Sequence, residues 1–199
     1  MQNIYNGSLT REQFLFYETR ITAQLLCQNL PRDEIIERIK NENLFQFPTE
    51  KMVVSIARTC FRRLDALASD ALVRLVADAP METAKQVNLY AMMKDNRVVW
   101  DFMTTVIGEK YRTQALDFSP KDVSIFLFLL REQNDSVAGW SDSTVSKIRQ
   151  VLIRILTECR YLDSIRASQL NWISIEPELE DEIRVQHDTA ALPAFNCFR

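Results

Sequence analysis

Lys51, Ser55, Arg58 and Arg62 stand four, three and four residues apart, a spacing that aligns side chains along one stripe of an α-helix. Arg63 flanks them, and over residues 49–64 four cations (Lys51, Arg58, Arg62, Arg63) meet a single acid, Glu50. The other side of the same stretch carries Val53, Ile56, Ala57, Cys60 and Leu64, an apolar stripe at helical period. Residues 143–159 repeat the arrangement. Lys147, Gln150 and Arg154 line the outer face, Thr144 and Arg149 stand beside them, and Ile148, Leu152, Ile155 and Leu156 point inward. This chemistry suits nucleic acid, because Arg and Lys contact phosphates and guanine edges, Gln pairs with adenine, and Ser or Thr near a helix start bind phosphate oxygens. The same cations also serve to solvate an ordinary helix, and the sequence leaves both readings open.

Each stripe needs a second element to aim it. A helix over residues 32–40, opened by Pro31, precedes the first basic helix. A helix over 120–133 precedes the second, starting at Ser119-Pro120-Lys121-Asp122 with a capping serine, a first-turn proline and an acid. Both pairs read as helix–turn–helix units, whose second helix can enter a major groove. The 120–133 helix, with Ile125-Phe126-Leu127-Phe128-Leu129-Leu130, is apolar on nearly every side and is expected to be the most buried. Residues 170–175 (Leu-Asn-Trp-Ile-Ser-Ile) alternate and are rich in β-formers, so a small β-wing is expected there, with Arg160 and Arg166 near it.

Other helices are expected from about Thr10 through Asn29, capped by Thr10 with Gln13 at the reciprocal position, and over 66–76, 81–95 and 97–111. The fold class is therefore all-α. The chain reads as an N-terminal lobe, 1–115, and a C-terminal lobe, 116–199, packed as one globular unit. Aromatic residues such as Phe14, Phe126 and Trp140 fall mostly within the apolar stripes and are expected in the core.

Much chemistry is missing. The single histidine, His187, stands in an acidic stretch, and the three glycines (Gly7, Gly108, Gly139) form no phosphate loop. The four cysteines (Cys27, Cys60, Cys159, Cys197) have no metal-ligand spacing and read as reduced, three of them among apolar residues of the expected helices as small hydrophobes. No catalytic residue, metal or cofactor is expected, and the protein is read as a non-enzyme. The N-terminal residues lack a signal-peptide core, and the apolar run 123–130 is far short of a membrane span. A cytoplasmic monomer follows as the expectation. The formal charge is −3, but residues 176–188 hold six acids against Arg184 and contribute −5, leaving the rest slightly basic.

Glu18-Thr19-Arg20, Ala84-Lys85-Gln86-Val87-Asn88-Leu89-Tyr90-Ala91 with Asp95-Asn96-Arg97, and Trp140-Ser141 followed by Thr144, Lys147, Arg149 and Gln150 together resemble BrxA. That family is a small core component of BREX (bacteriophage exclusion) phage-defence systems, and the resemblance runs from about residue 8 to 179. It implies an all-helical cytoplasmic protein with helix–turn–helix elements that binds double-stranded DNA beside separate methyltransferase and ATPase components. It supplies no catalytic residues, so the DNA contacts above rest on the stripes alone. Two alternatives stand beside it. One is an assembly adaptor for other BREX components, motivated by the acidic 176–188 segment and by Phe195 and Phe198 near the C-terminus, both expected to be exposed. The other is an RNA-binding helical domain.

Overall fold

The computed structural model describes residues 5–198, and among these it contains eleven α-helices and no sheet. They divide into two compact units, one spanning Phe14–Asp95 and the other Asn96 onward together with the residues through Gln13.

The 14–95 unit holds α1 (Phe16–Leu26), α2 (Arg32–Asn41), α3 (Glu50–Ala66), α4 (Asp70–Asp78) and α5 (Met81–Asp95). α3 begins where Thr49 accepts the Met52 N–H, and α4 where Ser69 accepts the Leu72 N–H. The inner stripe of α3 meets Leu25 of α1, Ile35 and Ile39 of α2, and Phe45 of the α2–α3 connection in one buried cluster. The stripe of α3 is thus amphipathic because its apolar half builds this core.

The expected first helix is shorter than its sequence suggests. Residues Ser8–Thr10 make a single 3₁₀ turn, where the Thr10 hydroxyl donates to the Gly7 carbonyl instead of capping an α-helix. α1 starts only at Phe16, after Leu15 at φ 50°. Leu9 is wholly buried, and the crossover between units falls at Gln13/Phe14. Tertiary demands on both sides override the local capping signal.

The other unit contains a continuous helical rod: α6 (Arg97–Asp101), a π-helical stretch (Phe102–Ile107) and α7 (Gly108–Arg112). Asn96 caps it, accepting the N–H groups of Val98 and Val99. Around it lie α8 (Pro120–Gln133), the one-turn α9 (Asp135–Ala138), α10 (Asp142–Glu158), α11 (Pro177–Val185) and a 3₁₀ segment, Thr189–Phe195. The rod is buried through Phe102, whose ring lies 5.4 Å from that of Phe126 on α8. A Cβ at Gly108 would come within 2.9 Å of the Pro193 side chain, so glycine there permits the close approach of the C-terminal 3₁₀ segment.

Three expectations are corrected here. Residues 170–175 form no strand or wing; the one bridge nearby pairs Asp117 with Gln169. Their polar groups have scattered partners: the Leu170 N–H donates to the Leu116 carbonyl, the Asn171 N–H to that of Tyr161, and the Tyr111 hydroxyl to the Asn171 carbonyl. With those groups satisfied one by one, no second strand is called for. α8 is not the most buried helix, because Ile125, Phe128 and Leu129 are exposed. Phe195 is buried, and of the two C-terminal phenylalanines only Phe198 is exposed.

Candidate nucleic-acid interface

The first stripe splits along its length. Lys51, Ser55 and Arg58 are exposed, and neither cation is tied by a hydrogen bond or ion pair among the described residues. Arg62 and Arg63, one turn further on, are drawn to Asp95 at the end of α5. Arg62 donates through Nε to Asp95 Oδ1 at 2.6 Å and through Nη2 to Oδ2 at 3.0 Å, a two-pronged pair. Arg63 is 1% exposed. Its Nη1 donates to the Phe14 carbonyl at 3.1 Å, and its Nε stands 3.7 Å from Asp95 Oδ2. Asn88 of α5 donates to the same Phe14 carbonyl at 3.0 Å. Arg63 is thus inside the fold, out of reach of any surface ligand. Arg62 keeps only a partly exposed side chain, already neutralised.

The stripe on α10 stays at the surface. Ser141 caps the helix by accepting the Thr144 N–H at 3.2 Å, and its hydroxyl lies 3.0 Å from that of Thr144. Gln150 and Arg154 are exposed and Lys147 half-buried, with no hydrogen bond or ion pair on Lys147 or Gln150 among the described residues. Arg154 faces Glu158 one turn along, at 3.5 Å and 66% exposed, a contact that water and salt weaken readily. Arg149 leans toward α8 and donates to the Ser124 hydroxyl at 3.4 Å. The helix therefore offers Lys147, Gln150 and Arg154 as a compact cationic face with hydroxyls at its N-terminus.

The residues that precede each basic helix are arranged more loosely than a short turn would demand. Eight residues separate α2 from α3, and α9 is interposed between α8 and α10. α2 nevertheless packs on α3, and α8 on α10.

Sequence reading overlooked what Asp95 does. Its signal was visible, because Asp95-Asn96-Arg97 stands out as a motif, but the carboxylate's hold on two arginines 32 and 33 positions earlier depends on how α3 crosses α5. Several other motif residues are joints of the same kind. Arg20 donates through Nε to the Ala77 carbonyl and through Nη2 to that of Ala79, closing the C-terminal end of α4. Arg97 donates to Asp101, which also accepts from the Tyr5 hydroxyl.

No group of three or more His, Cys, Asp or Glu side chains is placed to hold a metal ion among the described residues. Cys60 is fully buried, and burial pushes its pKa up to about 11, while Cys27 is exposed. No described helix is long and apolar enough to cross a membrane.

Fold and surface chemistry define the class: an all-α protein of two helical units, each presenting one cationic helix face. Comparison with known proteins narrows it. The sequence profile of the BrxA family matches residues 3–187, and the chain belongs to that family. A Bacillus cereus (strain H3081.97) protein named BREX protein BrxA is 32% identical over 168 residues, 84% of each chain. An Escherichia coli O9:H4 (strain HS) protein of the same name is 25% identical over 174 residues, covering 87% of this chain and 81% of that one. The crystal structure of an uncharacterized protein from Magnetospirillum magneticum superposes with a TM-score of 0.79 at 24% identity, covering 96% of this chain and 97% of that one. That likeness speaks for the fold.

Proposed function

We propose that this protein is a non-enzymatic, double-stranded DNA-binding accessory component of a bacterial BREX phage-defence system, acting in the cytoplasm to position or recruit the system's enzymes. The observation that carries the reading is the set of unengaged cations on two helices, Lys51 and Arg58 on α3 and Lys147 on α10, with Arg154 held only by a solvent-exposed pair. Cations left without carboxylate partners keep their full charge for phosphates. α3 and α10 take the part of recognition helices in helix–turn–helix-like units, with Ser55 and Gln150 placed for polar contacts and Thr144 at the helix start.

Duplex binding measured by fluorescence anisotropy across a salt series tests this. Affinity should fall steeply with salt, in proportion to the phosphates neutralised. Lys51→Glu with Arg58→Glu should weaken binding with helical content unchanged, and Lys147→Glu with Arg154→Glu should do the same. An absence of binding at low salt sinks the reading, and preference for structured RNA over duplex DNA would redirect it.

An adaptor role is the second reading, favoured by α11. There Glu178 and Asp181 are exposed beside Val185, while Leu179 and Ile183 anchor the helix in the core. Recovery of other BREX components with the whole chain, but not after Val185→Asp, would support it.

A further inference from the structure

Trp172 is 62% exposed, whereas Trp100 is buried and Trp140 half-buried. Keeping so large an apolar ring in water forgoes the gain of burying it. The ring is also held still. One face lies on Tyr111, with ring centroids 6.2 Å apart and planes at 30°, and Tyr111 in turn packs on buried Tyr161. The backbone on either side is pinned. The Asn171 carbonyl accepts from the Tyr111 hydroxyl at 2.6 Å, and the Ile173 carbonyl from the Asn196 amide at 3.2 Å. The opposite face of the indole is open, and its N–H has no acceptor among the described residues. These contacts place the ring at the C-terminal end of α10. Asn171 donates through Nδ2 to the Arg160 carbonyl at 3.0 Å and through its backbone N–H to that of Tyr161 at 2.9 Å, just beyond the helix. Arg160 and Arg166, on the connection from α10 to Trp172, are exposed, and Arg166 has no carboxylate partner among the described residues. The one acid of that connection, Asp163, accepts from the Asn171 amide.

We infer that Trp172 is a stacking platform for an unpaired nucleobase, at the edge of a duplex held by α10. A flat aromatic ring with one free face accepts another flat ring, and cations beside it hold the phosphates of the same strand. Inside a duplex both faces of each base are covered by its neighbours. The base that Trp172 takes is therefore an unstacked one, as where a duplex opens into a single strand. Because Tyr111 and the pinned backbone fix the indole beforehand, little side-chain freedom is lost on stacking. The inference rests on the DNA reading for the strand that reaches this loop. It adds a preference for exposed bases, which cations alone do not confer.

Fluorescence anisotropy of the full chain with three labelled DNAs tests this. The probes are a blunt duplex, the same duplex with a single-stranded overhang of about six thymidines, and that overhang with abasic sugars in place of the thymidines. The two overhangs carry equal phosphate charge, so their difference reads base contact alone. The thymidine overhang should bind about tenfold more tightly than the abasic one. Trp172→Ala should abolish that difference and leave blunt-duplex affinity within about twofold, with an unchanged far-UV circular dichroism spectrum, while Trp172→Phe should keep part of the difference. Equal affinity for the two overhangs overturns the inference and would leave the ring to a protein partner. So does a difference that survives Trp172→Ala. Failure of the blunt duplex alone, with the thymidine overhang still preferred, would count against the duplex reading while upholding base stacking on Trp172.

Discussion

α3 and α10 are both 17 residues long, both cationic on one side and both anchored through an apolar stripe, yet their arginines meet different fates. On α3 the two C-terminal arginines converge on Asp95, whose side chain is 4% exposed. On α10 the corresponding turn ends in Arg154 and Glu158, a pair at the surface. Charge counted along a helix is therefore not charge available to a ligand. It depends on whether a carboxylate from another helix is waiting inside.

The sharpest way to break this contrast is Asp95→Ala. It would leave Arg63 buried beside an empty position, and removing one partner of a buried pair typically costs about 3–5 kcal/mol. We expect urea denaturation to show a loss of that size, with the unit spanning Phe14–Asp95 melting first. Replacing Arg63 with Met, of similar reach and no charge, should cost much less than Asp95→Ala. A loss below about 1 kcal/mol for Asp95→Ala would place it among surface pairs and erase the distinction.

The next largest effects concern DNA. Reversing Lys51 and Arg58 together should weaken duplex binding on the order of 10–100-fold and reduce the salt slope by about two. Reversing Lys147 and Arg154 should do likewise. Within α3, Arg58→Ala should weaken binding severalfold while Arg62→Ala, whose charge Asp95 already neutralises, should change it less than about twofold. Equal effects from the two arginines would show that the Arg62 pair opens when DNA arrives.

How much of this was legible in sequence follows from the range of each interaction. Caps act over three or four residues, so the start at Ser119, with its proline and first-turn acid, could be read directly; there Asp122 accepts the Ser119 N–H. The apolar stripe of α3 was equally legible, because a helix's period is local. The fates of Arg62 and Arg63 were not, since Asp95 reaches them from another helix. Nor was the exposure of α8: Ile125 and Phe128 look like core by type, and only the placement of neighbouring helices decides which turns are covered. The alternation over 170–175 misled for the same reason. A strand requires a partner edge, and Leu116 and Tyr161 supply single carbonyls instead. The family resemblance was legible through Arg20, Asn88, Asp95 and Ser141, residues that hold helices together and do not mark the surface proposed to bind.

Cysteine reactivity probes the burial behind this contrast. Cys27 is exposed and Cys60 is buried on the core side of α3. Burial raises both thiols, Cys60 to about 11, so at pH 8 the Cys60 thiolate is a trace species. Iodoacetamide should label Cys27 in the native protein and Cys60 only after unfolding, as read by mass spectrometry. In Asp95→Ala, the Cys60 labelling rate should rise with the loss of stability.

The smallest expected effect is the most discriminating. Glu158→Gln removes the carboxylate facing Arg154, a pair with the arginine 66% exposed and its partner 28% exposed. Because water already screens that pair, stability should change by less than about 0.5 kcal/mol. Duplex affinity should rise about twofold, since a phosphate no longer competes with the carboxylate for Arg154 and one repelling charge is gone. On α3 the equivalent removal of Asp95 takes the shared carboxylate from Arg62 and Arg63, and we expect it to cost the unit that holds them about 3–5 kcal/mol. If Glu158→Gln instead destabilised α10 as strongly as Asp95→Ala destabilises the other unit, the surface pair would be structural. The two basic helices would then differ only in degree.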